Sequence, residues 1–337
     1  MTSDVARILV VRYSALGDVV LATSVLDPLR ARFPGARIEW VTDPAYVPLL
    51  EGLPQLAAVH ALARGGAAGA LELRDVLRRR FDLAVDLQNT VRSAVVVGAA
   101  APRRVTFRRR TRRGALLALA GRDQPLARAS AVELYAEALA PLGIERAGPL
   151  HLHLPPGARA LAEDALARAR RPVVALAPGA RWATKRWAPQ RFAAVADALA
   201  AEGASVVLAG GPSDREALGA VREALAAPVA ADLSPLPLAA LAAAIARVDL
   251  LIACDSGPVH LASALGTPAL ALFGPTSPLR WGPPPPGRAL SLGLACSPCS
   301  NHGSEACPEG HHRCLADLAV PAVLGAARAM LAGRAPP

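Results

Sequence analysis

Four loops and one charged run in this 337-residue chain hold residue types that could do chemistry. In Ser14-Ala-Leu-Gly-Asp18, Gly17 permits close backbone approach and Asp18 offers a carboxylate. Such a group can take the proton of a reacting hydroxyl, or can cap the helix that follows. The segment Pro178 to Trp187 crowds Arg181, Lys185 and Arg186 beside Trp182 and Trp187, which suits a docking anion or a plain solvated basic loop. In Cys254-Asp-Ser-Gly-Pro-Val-His260, Ser256 and Gly257 would open a helix whose free N–H groups and positive end attract phosphate. His260 lies one turn beyond Ser256 on the same face, while ordinary capping by Asp255 or Ser256 fits the same spacing. Gly274-Pro-Thr-Ser277 would line the same crevice. Last come Cys296, Cys299, Cys307 and Cys314 with His302, His311 and His312 interspersed, a spacing that could close a tetrahedral zinc site or leave reduced thiols in an ordered loop. The charged run, Arg103 to Arg113, has seven arginines that could hold phosphates or carboxylates or face solvent.

These loops need strands to end on and helices to open. Arg7 to Arg12 is a short β-branched run, the segment 14–18 turns the chain, and Val19 to Arg32 carries apolar residues at helical spacing. Further βα units are predicted at Arg37–Val41, at Phe81–Val85 followed by a helix over 90–100, and at Arg104–Phe107. A Pro/Gly-rich stretch around 148–157, containing His151 and His153, breaks the series. A second series starts at Pro172–Ala177 and repeats at Ala204–Ala209, Val248–Ala253 and Pro268–Phe273. The expectation is an α/β chain of two doubly wound parallel domains, with ligands at the carboxyl ends of the strands. The expected division is 1–150, a linker and helix over 151–171, 172–318, and a C-terminal helix over 319–337. The G-x-G-x-x-G dinucleotide pattern is absent after the first strand, and the segment from Gly179 to Lys185 lacks the second glycine and following hydroxyl of a Walker A loop.

Composition narrows the function classes. Hydrophobic residues make up 53% and aromatics only 4%, consistent with Ala-rich helices packed close on sheets. The 27 glycines and 31 prolines stay below the roughly 25–30% combined share that signals low complexity. Five cysteines, four of them in one segment, are no secreted disulfide framework. The start of the chain reads as mature protein, and the most apolar stretch, Leu236–Ala253, is broken by Arg247 and Asp249, so a soluble or membrane-peripheral protein is expected. A net charge of +10 favours an anionic partner: nucleic acid, an anionic membrane surface or a phosphorylated substrate.

Taken in order along the chain, Arg12-Tyr-Ser-Ala-Leu-Gly-Asp18, Asp86-Leu-Gln88, Pro178-Gly-Ala with Thr184-Lys-Arg-Trp187, Asp255-Ser-Gly-Pro-Val-His260 and Phe273-Gly-Pro-Thr-Ser277 resemble the heptosyltransferase-like glycosyltransferases of family nine, which build the lipopolysaccharide core in Gram-negative bacteria. The cysteine segment is similar to a tail in members related to the second heptosyltransferase. The resemblance implies a GT-B fold: two Rossmann-like domains facing across a cleft, the acceptor on the N-terminal one, the nucleotide-sugar on the C-terminal one, and the last helix packing back on the first. It implies an inverting, metal-independent transfer of heptose from ADP-heptose to an inner-core lipid A–Kdo acceptor, without a cofactor, at the cytoplasmic side of the inner membrane. Asp18 would be the catalytic base. Arg181, Lys185, Asp255, Ser256, Gly257 and His260 would hold the donor phosphates, and Ser14, Gly17, Gln88 and Arg92 the acceptor. Ser213 stands about where the family often has a carboxylate near the donor ribose, with Asp214 or Glu216 as substitutes. Arg92 and the run from Arg103 to Arg113 would hold the acceptor or the anionic membrane. The rivals are a GT-B transferase using another nucleotide-sugar or acceptor, and a non-catalytic nucleic-acid-binding protein with a four-cysteine zinc module. The low aromatic content and the lack of any nucleic-acid motif disfavour the latter.

Overall fold

A computed structural model describes residues 5–63, 66–107 and 129–333. The chain divides into two compact units, the first running to His153 and the second from Leu154. The first is built on strands β1 (Arg7–Val11), β2 (Arg37–Thr42), β3 (Ala58–Ala61), β4 (Leu83–Asp86) and β5 (Arg103–Thr106), all parallel, in the order β3-β2-β1-β4-β5. Its helices are α1 (Leu16–Ala22), α2 (Leu26–Arg32), α3 (Val47–Leu50), α4 (Gly66–Arg78), α5 (Val91–Ala100) and α6 (Ala131–Leu139). β1 and β4 are buried along nearly their whole length, which is why they read in the sequence as unbroken apolar runs.

The single helix expected over 19–32 is interrupted. Between α1 and α2 lies a 3-10 turn, Thr23–Val25, where the Thr23 and Ser24 hydroxyls donate to the carbonyls of Val20 and Leu21 at 2.6 and 2.7 Å. Hydroxyls that bond back to the preceding turn compete with the helical ladder, and Pro28 has no N–H to offer it. The first unit also extends past residue 150. The His151 N–H donates to Thr23 Oγ1 at 2.9 Å, His151 Nε2 lies 2.9 Å from Asp27, and the His153 N–H donates to the Leu49 carbonyl at 2.8 Å. Both linker histidines are thereby strapped to α2 and α3 or the turn that precedes them.

The second unit contains β6 (Val173–Ala177), β7 (Ser205–Leu208), β8 (Ala231–Asp232), β9 (Leu250–Cys254), β10 (Ala269–Leu272) and β11 (Arg288–Leu290), again parallel, ordered β11-β10-β9-β6-β7-β8. Its helices are α7 (Pro156–Leu166), α8 (Pro189–Ala201), α9 (Arg215–Ala224), α10 (Leu238–Ile245), α11 (Gly257–Leu265), α12 (Pro278–Trp281), α13 (Arg313–Ala316) and α14 (Val320–Ala332). One core joins the strands to Trp187 and Phe192 of the α8 region and to Val323, Ala326 and Ala327 of α14. The buried face of the last helix packs on α8 and β9 of the second unit, with Arg328 paired to Glu202 at the end of α8. Among the described residues no helix is long and apolar enough to cross a membrane. Arg108 to Arg113 of the arginine run lie outside the described residues.

Candidate active site

In the first unit the loop 12–18 leaves the carboxyl end of β1, flanked by β2 and β4. Asp18 is the third residue of α1 and reaches back to the N–H of Ala15 at 3.4 Å, so its capping role is real. Its other oxygen, Oδ1, accepts from Arg12 Nη2 at 2.6 Å and from the Tyr135 hydroxyl of α6 at 3.0 Å. Arg12 is 2% exposed and also donates to the Leu87 carbonyl, so the carboxylate has a fixed buried countercharge, while Asp18 itself keeps 19% of its side chain open. A carboxylate oriented from two sides and still accessible can act as a base.

The residues expected to hold an acceptor surround the same loop. Gln88 Oε1 accepts from the N–H groups of Tyr13 and Ser14 at 2.9 and 3.3 Å and so fastens the loop that carries Asp18. Asp86 in turn accepts from the N–H groups of Gln88 and Asn89 and from the Ser93 hydroxyl, each at 2.9 Å. Arg92 lies 4.7 Å over the Tyr13 ring and donates to the carbonyls of Leu62 and Ala63. Burial pushes the Tyr13 hydroxyl up to about 12, with Arg92 opposing and Asp86 reinforcing the shift. Gly17 is buried in the turn and Ser14 half-buried beside it.

In the second unit Lys185 Nζ sits 2.8 Å from Asp255 Oδ2, which also accepts from the Thr276 hydroxyl at 2.5 Å. Asp255 is buried and Lys185 keeps 14% of its side chain exposed, so the carboxylate aims the ammonium. The adjacent α11 has no side-chain cap: the Ser256 hydroxyl turns back to the Cys254 carbonyl at 3.2 Å, Pro258 carries no N–H and the Val259 N–H donates to the Ser256 carbonyl at 3.1 Å, so the Gly257 N–H is the leading donor without a side-chain acceptor. His260 is buried in the first turn, its ring edge-on to Trp281 at 6.3 Å. Arg181 is exposed and stacks over Trp182 at 5.2 Å, and Arg186 braces the loop through the Ala180 carbonyl at 2.9 Å.

Ser213 and Glu216 are exposed. Asp214 accepts from the Gly211 N–H at 2.8 Å, and its Oδ1 would lie 2.2 Å from a Cβ at Gly179. Of the possible substitutes, Asp214 is therefore the carboxylate brought against the Pro178–Gly179 turn, and that contact requires glycine at 179.

The cysteine segment packs onto the lysine loop. Thr184 and Ser304 exchange backbone and hydroxyl hydrogen bonds at 2.8 to 3.1 Å, His312 Nε2 meets the Thr184 carbonyl at 2.7 Å, and Gly303, at φ +93°, leaves no room for a Cβ against the Lys185 stem. All five cysteines are free thiols, and among the described residues no group of three or more His, Cys, Asp or Glu side chains is placed to hold a metal ion. Burial pushes Cys314 up to about 11 and Cys254 to about 12, so neither is a ready thiolate.

Sequence reasoning missed Tyr135, Thr276 as the partner of Asp255, and the bracing of Lys185 by residues 303–312. Thr276 lay within a flagged loop, but Tyr135 sits mid-helix with no local signal.

The family model for glycosyltransferase family 9 (heptosyltransferase) matches residues 70–311. Lipopolysaccharide heptosyltransferase 2 of Escherichia coli K12 is 31% identical over 96% of this chain and 98% of its own. Among solved structures, a glycosyl transferase family 9 protein from Veillonella parvula superposes with a TM-score of 0.81 at 24% identity, covering 99% of both chains. The E. coli ADP-heptose lps heptosyltransferase II does so with a TM-score of 0.75 at 25% identity, covering 97% of this chain and 98% of that one. The two parallel-sheet units are those of the GT-B fold.

Proposed function

This chain belongs to glycosyltransferase family 9, and from that membership we propose that it moves a heptose from ADP-heptose to the inner core of lipopolysaccharide with inversion at the anomeric carbon. The acceptor hydroxyl oxygen forms the new bond to that carbon as the bond to the departing diphosphate breaks, and Asp18 takes the hydroxyl proton. Arg12 and Tyr135 hold the carboxylate in place. The leaving ADP gains negative charge, which Lys185, His260 and the Gly257 N–H that opens α11 meet as donors already in position. Asp214 is the candidate for contacts with the donor ribose. The acceptor is a lipid carrying phosphates and carboxylates, and we place the enzyme against the cytoplasmic face of the inner membrane.

The donor half is supported most directly by Lys185, held at 2.8 Å on a buried Asp255 beside the helix whose N-terminus no side chain caps. A salt-bridged lysine set for structure alone would not need that helix end beside it. The test is a mass-spectrometric screen of nucleotide-sugars against a heptose-deficient core acceptor. Turnover of ADP-heptose is expected; turnover of a UDP-sugar in its place would overturn the donor assignment and favour a GT-B transferase of another specificity. Family membership itself favours the transferase over the nucleic-acid-binding reading.

A further inference from the structure

α5 opens immediately after the Asp86–Asn89 loop, at the carboxyl edge of the first sheet, and presents an unusual outer face. Val91, Ala94, Val95, Gly98 and Ala99 recur at helical spacing and are all exposed, Val91 by 85% and Val95 by 60%. The opposite side of the same helix, Val96, Val97 and Ala100, is already committed to the core of the unit. Arg92 is the sole charged residue of α5, and its guanidinium is turned to the carbonyls of Leu62 and Ala63. In a chain where 19% of residues are charged, an exposed helix face without a charge needs a partner.

The rim of that face indicates the partner's chemistry. The Phe81 N–H donates to the Ala100 carbonyl at 3.0 Å, which sets the exposed Arg78 and Arg80 beside the carboxyl end of α5. Arg103 and Arg104 are exposed just beyond it, and Arg104 Nη1 would lie 3.2 Å from a Cβ at Gly98, so one guanidinium runs along the stripe itself. A helix with an apolar face and an arginine border suits an interface that is apolar below and anionic at its surface. We propose that α5 lies on an anionic phospholipid surface, with Val91 and Val95 entering the acyl boundary and the arginines meeting headgroup phosphates. The proposal extends the functional reading, because a lipid-anchored acceptor would then meet the Asp18 loop at the membrane plane.

The test uses the full chain and vesicles of phosphatidylcholine alone or mixed with phosphatidylglycerol. The wild type should sediment with the anionic vesicles and only weakly with the neutral ones. Val91→Glu/Val95→Glu should reduce sedimentation with anionic vesicles by about tenfold or more, with an unchanged thermal melt and unchanged transfer to a deacylated, water-soluble acceptor. Arg104→Gln should lower only the preference for anionic over neutral vesicles. Equal sedimentation of the double variant would overturn the proposal. So would a wild-type dimer that the double variant abolishes, since the face would then cover a second copy, and so would loss of transfer to the soluble acceptor, which would make α5 part of the acceptor site. Failure to transfer heptose to any acceptor would refute the functional reading and leave the sedimentation result to decide the surface.

Discussion

Asp18 accepts hydrogen bonds from a backbone N–H, a guanidinium and a phenol, and the three donors differ in what they do for the reaction. The Ala15 N–H fixes the start of α1, Arg12 supplies the countercharge, and Tyr135 sets its rotation from a helix far away in sequence. Asp18→Asn keeps the shape of that network and removes the base, so transfer should fall by about 10²–10⁴-fold while isothermal titration shows donor binding unchanged. Tyr135→Phe should lower kcat by roughly tenfold with the donor KM unchanged, which is the signature of a positioning role; a change in KM alone would assign the phenol to substrate contact. Lys185→Ala should weaken ADP binding by about 10–100-fold, as expected for loss of a charge-assisted contact. These groups were unequally legible in the sequence. Asp18, Lys185 and the segment from Asp255 to His260 lie on βα loops, where a chemically capable residue stands out against strand and helix periodicity. Tyr135 lies inside an ordinary amphipathic helix, and only the fold brings it to the carboxylate. Gln88 and Arg92 were visible as polar residues near the first loop, but not that their side chains are spent on fastening backbone.

Interior strands such as β1, β6 and β9 are covered on both faces and announce themselves as apolar runs, whereas β3, β8 and β11 are short, half-exposed edge strands that local pattern does not separate from loop. The interruption between α1 and α2 was equally hidden, because it depends on hydroxyls that find a carbonyl only once the turn has formed. β2 carries a feature with a measurable stability consequence. Burial alone would raise the carboxyl of Glu39, but the hydrogen bonds and charges of Arg7 and His60, at 2.6 and 2.7 Å, outweigh it and hold the group below its ordinary value of 4.5. A carboxyl depressed in the folded state stabilises it above the unfolded value and loses that contribution as pH falls through the folded one. Glu39→Gln should therefore lower the melting temperature at pH 7, and the gap from the wild type should close as pH drops below about 4; a gap independent of pH would mean that packing, not charge, is lost. The cysteine segment offers a second check on element placement. Native-state alkylation read by mass spectrometry should label Cys296 and Cys307 first and Cys254 last, since Cys254 is fully buried in β9 with its thiol pushed up to about 12.

Across the whole molecule, the tandem of two doubly wound units was legible because each begins afresh with a strand, a chemically marked loop and a helix. The first unit runs to His153 because the His151 ring pairs with Asp27 and the His153 backbone N–H with the Leu49 carbonyl, partners that composition does not reveal. In the C-terminal helix, Val323, Ala326 and Ala327 complete the core that also contains Trp187, next to the lysine loop. That shared core makes the division of labour between the units testable. If the nucleotide is held by Lys185 and the α11 N-terminus, ADP binds the folded second unit and not the unfolded chain, and at about 100 times its Kd adds about 2.7 kcal/mol to that unit's stability. Hydrogen exchange with and without ADP should then show its largest slowing in β6, β9 and α11, together with the segment 300–312 that braces Lys185. β1, β4 and α5 should change least, and Lys185→Ala should erase most of the slowing at the same nucleotide concentration. Protection concentrated around β1 and Asp18 would reverse the assignment, placing the nucleotide on the first unit and leaving the cationic loop of the second to the acceptor's own phosphates.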